Sequence, residues 1–260
     1  MPNLKPYIVS IPTMGRIEIV EECVVAFAKQ THPPAIVLLI DNNEKPNTIK
    51  VPDKIDNTLV LFAENDYNVP GIIQGDATGF RIARQNKFEI AARWDDDLIP
   101  EPDCMEKLVR LHNDPKIVAT GGMYPAPDNN HPVFGERFST MENPGGGSPR
   151  HLQFFPWKGD HVLLQRHFLY SSFVYNTQAA VNVGGFCTEY SQHSYRADTD
   201  FTLRMGKVGA LIVDTSAVAI HHVKPGGTRN IVGTAKEEMM NHDLVLFDTR
   251  MRMLGINPNY

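Results

Sequence analysis

The chain has 260 residues, of which 42% are hydrophobic and 21% charged, the composition of an ordinary globular protein and not of a disordered one. Its formal net charge of -5 argues against a general attraction to nucleic acid or to an anionic membrane surface. No run approaches the ~20 consecutive apolar residues of a membrane span, so no integral membrane segment is expected. The start MPNLKPYIVS lacks the basic and apolar regions of a signal peptide. Cys23, Cys104 and Cys187 form no Cys-x-x-Cys pair, so buried free thiols and a cytoplasmic location are the expectation.

In chain order, Tyr7 to Ile11 is a short apolar run ended by Pro12, a buried strand. From Arg16 to Gln30, Ile17, Val20, Cys23, Val24, Phe27 and Ala28 keep helical spacing until Pro33 and Pro34 stop the helix. Ala35 to Ile40 and Thr58 to Phe62 read as further strands, the first delivering Asp41. Gly71 to Arg84 mixes helical and loop signals. Phe88 to Trp94 runs as a strand into Asp95-Asp96-Asp97, Glu101 to Asn113 as a helix, and Lys116 to Thr120 as a strand closing at Gly121. Unbroken apolar strands alternating with helices predict an α/β fold whose parallel strands are covered on both faces. Ligands then bind beyond the strands' carboxyl ends, where Asp41 and Asp95 to Asp97 fall.

The second half is different. Residues 124 to 150 are rich in Pro, Gly and Asn and read as surface loop. Strands are expected near 151–155 and 161–165, a turn at Gly184-Gly185, a helix from Ala197 to Val208, and a strand from Leu211 to Ile220 that delivers His221 and His222. Lys224 to Thr234 reads as mobile, and a helix covers about Lys236 to Leu254. One domain of two abutting halves, 1–123 and 124–260, accounts for this change of character.

Three constellations could carry chemistry. Alternation along an extended chain sends Asp95 and Asp97 to one side and Asp96 to the other. Two carboxylates on one side suit a hard divalent cation that bridges phosphates; a solvated acidic turn or a helix cap is the plainer alternative. Asp198 opens a helix whose dipole favours a carboxylate, and Asp198 or Asp200 could simply cap it, with Arg204 paired to Asp200 one turn on. His221 shares its parity with Ala217 and Ala219, and Val218 and Ile220 are expected on the core face, which would leave His221 facing the site. Aromatic residues cluster at Phe154, Phe155, Trp157, Phe168, Tyr170, Phe173 and Tyr175, mostly as core, with Trp157 the best candidate for an exposed sugar platform.

Taken in order, Val9-Ser-Ile-Pro-Thr13, Arg16, Gln30-Thr31, Ile40-Asp41-Asn42, Asp95-Asp-Asp97, Gly184-Gly-Phe186, Asp198-Thr-Asp200, Leu203-Arg204, Gly209 and His221 resemble the family 2 glycosyltransferases of GT-A fold. That resemblance implies a Rossmann-like nucleotide-binding half with a mixed central sheet, abutting an acceptor-binding half. It implies that Asp41 and the Pro12-Thr13 turn, with Arg16, meet the nucleotide. Asp95 would contact the ribose or the metal, its neighbour Asp96 would belong to the nucleotide-sugar site, and Asp97 would bind the metal directly. His221 would be the further metal ligand, with His222 competing, Asp198 the general base, and Arg81 or Arg84 a contact to the diphosphate. The chain departs from the family pattern at Ala197, where an acidic residue usually precedes the base.

The expected activity is inverting transfer of a sugar from a nucleotide-sugar, a UDP-sugar first, to a hydroxyl of a glycan or other acceptor, with Mn²⁺ or Mg²⁺. A retaining GT-A enzyme is the main alternative. A nucleotidyltransferase would want a glycine-rich loop after the first strand, where Ile-Pro-Thr-Met-Gly-Arg offers one glycine. A non-catalytic sugar- or nucleotide-binding module would have lost Asp97 or Asp198. The segment from Lys224 to Thr234, with Gly226, Gly227, Gly233, Lys224 and Arg229, is expected to act as a lid over the donor.

Overall fold

The computed structural model describes residues 4–42, 49–67, 71–125, 135–137, 153–155, 161–169, 171–222, 224 and 226–255. The strands are β1 (Tyr7–Thr13), β2 (Ile36–Asp41), β3 (Lys54–Ile55), β4 (Thr58–Glu64), β5 (Ile90–Arg93), β6 (Leu98–Pro100), β7 (Ile117–Met123), β8 (Gly135–Arg137), β9 (Gln153–Phe155), β10 (Leu163–Arg166), β11 (Phe173–Asn176) and β12 (Ala210–His221). The helices are α1 (Ile17–Ala28), α2 (Ile72–Gln85), α3 (Cys104–Leu111), α4 (Thr177–Asn182), α5 (Ala197–Met205) and α6 (Gly233–Met253).

Ten strands make one mixed sheet in the order β10-β12-β7-β11-β5-β1-β2-β4-β3, with β6 paired to β12, while β8 and β9 form a separate pair. β5, β1, β2 and β4 are parallel, as their continuous apolar character predicts. β11 then enters antiparallel between β5 and β7, which makes the sheet mixed.

Alternation on β1 divides the core. Tyr7, Val9 and Ile11 face Val20, Val24 and Phe27 of α1 and Leu108 of α3, whereas Ile8 belongs to the layer with Ile73 and Ala77 of α2 and Phe201 of α5. α2 lies very close to β1: a Cβ at Gly79 would stand 2.4 Å from the Ser10 Cβ. α2 thereby carries its polar residues to the sheet's carboxyl end.

Several expectations change in detail. β1 continues through Pro12 to Thr13 and so brings the threonine into the site. Gly71 to Arg84, ambiguous in sequence, is α2. β8 lies within the expected loop of 124–150. Cys23 and Cys104 are buried, and Cys187 is partly so. Phe168, Phe173 and Tyr175 are core. Trp157, Tyr170, and the side chains of Phe154 and Phe155 lie outside the described residues. No helix among the described residues is long and apolar enough to cross a membrane.

Candidate active site

The carboxyl ends of β1, β2 and β5 meet the end of β12. β5 stops at Arg93, and the chain turns at once. Trp94, fully buried, pins that turn from inside: its indole N–H donates to the Leu98 carbonyl at 2.7 Å, and its ring packs edge-on against Phe27 and Tyr124. The three aspartates are therefore displayed by a turn anchored in the core.

Alternation does not survive that turn. Asp95 goes one way, accepting from Arg93 Nη1 at 2.6 Å and from the Ser171 hydroxyl. Asp96 and Asp97 go together to Arg16, whose Nη1 lies 2.6 Å from Asp96 Oδ1 and 3.1 Å from Asp97 Oδ2. The expected grouping of Asp95 with Asp97 is thus corrected; side-chain parity applies to extended chain, and these residues are past the strand. Thr13 Oγ1 donates to Asp96 Oδ2 at 2.9 Å. Burial pushes the Asp96 carboxyl up to about 6 despite the opposing pull of Arg16, and the neighbouring Asp97 adds to the rise.

His221 reaches the same place from β12. It pairs with Leu98 in register, and its Nε2 stands 3.4 Å from Asp97 Oδ1. The parity reasoning selects this histidine from a wrong premise. Ala217 and Ala219 are the fully buried residues of that stretch, and Val218 and Ile220 are only partly buried. His222 is placed by its backbone, whose N–H donates to the Asp97 carbonyl at 2.9 Å. Arg16 also donates to the Gly226 carbonyl at 3.1 Å, and Gly227 N–H donates to the Met14 carbonyl, so the glycine segment is docked on this corner. A short 3-10 turn at Gly227–Asn230 follows. The Arg229 side chain lies outside the described residues.

Asp198 sits in the first turn of α5. Its Oδ2 accepts from Ser171 N–H at 2.8 Å and its Oδ1 from Thr199 N–H at 2.7 Å. Burial raises its pKa, with Arg93 and these two N–H groups opposing the rise. The preceding Arg196 is left-handed at φ 71°, and its guanidinium lies 4.9 Å from the centre of the Tyr195 ring. Arg204 pairs with Asp200 at 2.8 Å, as the one-turn spacing predicts, and also donates to the carbonyls of Val183 and Gly185. From α6, buried Asp243 accepts from the N–H groups of Ser191 and Tyr195 and fixes the loop leading to α5.

Two hollows result. The smaller, about 100 Å³, is bordered by Pro12, Thr13, Arg16, Asn42, Asp96 and Asp97. The larger, about 270 Å³, is bordered by Asp76, Arg93, Asp95, Ser171, Arg196 and Asp198. Asp95, Ile72 and Thr228 line both. Asp41 ends β2 in register with Thr13, behind this rim. Arg81 is not brought to it: it pairs with Asp66 and, with Arg84, lines a separate hollow against Gly184, Gly185 and Phe186.

Asp76, Arg93 and Ser171 were not singled out by sequence reasoning. An arginine in the apolar run Ile90-Ala-Ala-Arg-Trp94 was the available signal, because a charge on a buried strand requires a buried partner. Arg93, 5% exposed, takes Asp76 through Nε at 2.9 Å and Asp95 through Nη1.

Among the described residues, no three His, Cys, Asp or Glu side chains are gathered tightly enough to hold a metal unaided. Asp97 and His221 nevertheless suit a shared cation. Two donors each about 2.1 Å from one ion, at ordinary coordination angles, lie about 3.0–3.4 Å apart. A carboxylate with an imidazole is also a donor set that Mn²⁺ accepts.

Residues 8–175, well over half of the chain, match the family model for glycosyl transferase family 2. The chain belongs to that family. Solved structures agree on the fold. GalNAc-T7 with UDP, GalNAc and Mn²⁺ superposes with a TM-score of 0.67 at 15% identity, over 86% of this chain and 45% of that one. The mannosyltransferase PcManGT from Pyrobaculum calidifontis, in complex with GDP-Man and Mn²⁺, gives 0.57 at 15% identity, over 86% and 58%. S. aureus TarS 1-349 gives 0.61 at 13% identity, over 96% and 74%. The chain thus spans about half the length of the first two. No curated protein sequence is detectably similar to it. The fold is GT-A, the mixed α/β arrangement expected from the motifs.

Proposed function

We propose that this family 2 chain transfers a sugar from a nucleotide-sugar, a UDP-sugar first, to an acceptor hydroxyl with inversion at the anomeric carbon. One observation carries the reading: Asp97 lines only the smaller hollow, Asp198 only the larger, and Asp95 borders both. A donor lying across that junction would have its diphosphate beside Asp97 and His221 and its sugar before Asp198. Residues 1–123 then supply most of the nucleotide-binding groups, and 124–260 the acceptor-binding and catalytic half.

In this reading Pro12, Thr13, Arg16 and Asp41 hold the nucleotide end. Asp97 and His221 would hold Mn²⁺ or Mg²⁺, with Asp95 and His222 as the competing ligands. When bound, the cation stabilises negative charge on the departing diphosphate. That structural neighbours carry Mn²⁺ with UDP or GDP-Man supports a divalent ion. Asp198 accepts the acceptor's hydroxyl proton as its oxygen attacks the anomeric carbon, and the bond to the diphosphate breaks on the opposite side. The two N–H groups on Asp198 fix the carboxylate's orientation.

Asp198→Asn tests the assignment, because it keeps the shape but cannot take a proton. Turnover should fall by about 10²–10⁴-fold, the usual contribution of a positioned base, with donor affinity little changed. Since burial raises the Asp198 pKa, the acidic limb of the wild-type rate profile should lie above that of an unperturbed aspartate. Unchanged turnover would reduce Asp198 to a structural acceptor for the Ser171 and Thr199 N–H groups, collapse of nucleotide affinity would make it a metal ligand, and a product of retained configuration would exclude single displacement.

A further inference from the structure

Asp76 has no part in the roles above. It comes from α2, is 1% exposed, and borders the larger hollow with Asp95, Ser171 and Asp198. Its Oδ2 accepts from Arg93 Nε at 2.9 Å. Its Oδ1 is buried and, among the described residues, has no hydrogen-bond partner. An acceptor left unmade in a protein interior is costly, and such an oxygen beside a hollow marks a place where a ligand's donor belongs. Arg93 presents the converse. Nε serves Asp76 and Nη1 serves Asp95, and among the described residues nothing accepts from its Nη2. One carboxylate oxygen and one guanidinium nitrogen of the same ion pair are thus left without a partner among the described residues, and both residues border the larger hollow.

A hydroxyl satisfies both, because it donates one hydrogen bond and accepts others. An amide N–H satisfies only the carboxylate, and a methylene neither. We infer that Asp76 and Arg93 together read one hydroxyl of the transferred sugar, so that the enzyme selects a donor hydroxylated at that position over its deoxy analogue. The inference rests on the proposed function, which places the sugar in this hollow. Asp76 is here a specificity-determining residue, and Arg93 serves the sugar while also orienting Asp95.

The test is equilibrium binding in Mn²⁺. UDP and GDP are compared with UDP-glucose, UDP-galactose, UDP-N-acetylglucosamine and GDP-mannose, and then with the monodeoxy analogues of whichever sugar nucleotide binds best. In the wild type, loss of one particular hydroxyl should weaken binding by about 10–100-fold, the worth of a charge-assisted hydrogen bond. In Asp76→Asn the parent sugar nucleotide should weaken by a comparable factor and the penalty at that position should shrink below about threefold. Binding of the bare nucleoside diphosphate should stay at the wild-type value, which also shows that the variant is folded. The comparison is a double-mutant cycle between a side chain and a hydroxyl.

A wild type indifferent to every deoxy position overturns the inference without any variant. So does an Asp76→Asn protein that keeps the full deoxy penalty, or one that loses nucleoside diphosphate and sugar nucleotide in equal proportion, which would mark a merely structural ion pair. A wild type that binds neither the sugar nucleotides nor the bare diphosphates in Mn²⁺ would remove the donor reading itself, an outcome distinct from the others.

Discussion

Asp96 is held by Thr13 and Arg16, yet burial pushes its carboxyl up to about 6. An aspartate in the unfolded chain titrates near 3.9. A folded value above the unfolded one favours the fold when the group is protonated. Its contribution is full below about 4 and is lost as pH rises through about 6. Asp96→Asn removes that dependence, so the wild type should gain in melting temperature relative to the variant between pH 7 and pH 4. A difference that is flat in pH would contradict the burial argument; Asp76 is present in both proteins and cancels. The individual residues were partly readable in advance. Asp97, Asp198 and His221 stand at element ends, where motif order and strand direction place them. Asp76 and Arg93 were hidden because their partners are each other and Asp95, a pairing that exists only once α2 lies on β5.

Elements depend on close backbone approach as much as on hydrophobic pattern. α2 can deliver Asp76 because Gly79 lets it lie against β1. A methyl group there would meet Ser10 Cβ at 2.4 Å, nearer than side chains approach. Gly79→Ala should therefore destabilise the protein by about 1–3 kcal/mol, the usual cost of overpacking, as read by urea unfolding. An unchanged midpoint would mean that α2 shifts freely on the sheet. The glycines of α2 also explain why its sequence looked ambiguous: residues that permit close packing weaken the helical signal. β11 escaped notice for a related reason. Four residues give little periodicity, and only the sheet shows that Phe173–Asn176 fills the place between β5 and β7. The segment from Lys224 to Thr234 reads as mobile, yet its Gly226 and Gly227 are docked through Arg16 and Met14, with Thr228 on both hollows. If it closes over the donor, a nucleoside diphosphate with Mn²⁺ should slow its amide exchange. Exchange unchanged by ligand would leave it an ordinary loop.

For the whole molecule, the fold and the chemistry converge on one rim. The parallel strands β1, β2 and β5 end there, and β12 returns across the sheet to add His221. An α/β unit with carboxylates at its strand ends could be read from apolar runs and their punctuation. The mixed sheet order could not, because pairing between strands distant in sequence is set by tertiary packing. In the proposed function, a divalent cation on Asp97 and His221 assists departure of a nucleoside diphosphate. The direct measurement is the initial rate of nucleoside diphosphate release from a set of UDP- and GDP-sugars, in Mn²⁺ and in EDTA, for the wild type and Asp97→Ala. Release from at least one sugar nucleotide is expected in Mn²⁺, with its loss in EDTA, recovery on added Mn²⁺, and a fall of at least about 10²-fold in Asp97→Ala. Full release in EDTA, or an Asp97→Ala protein as fast as the wild type, would contradict that role of the cation.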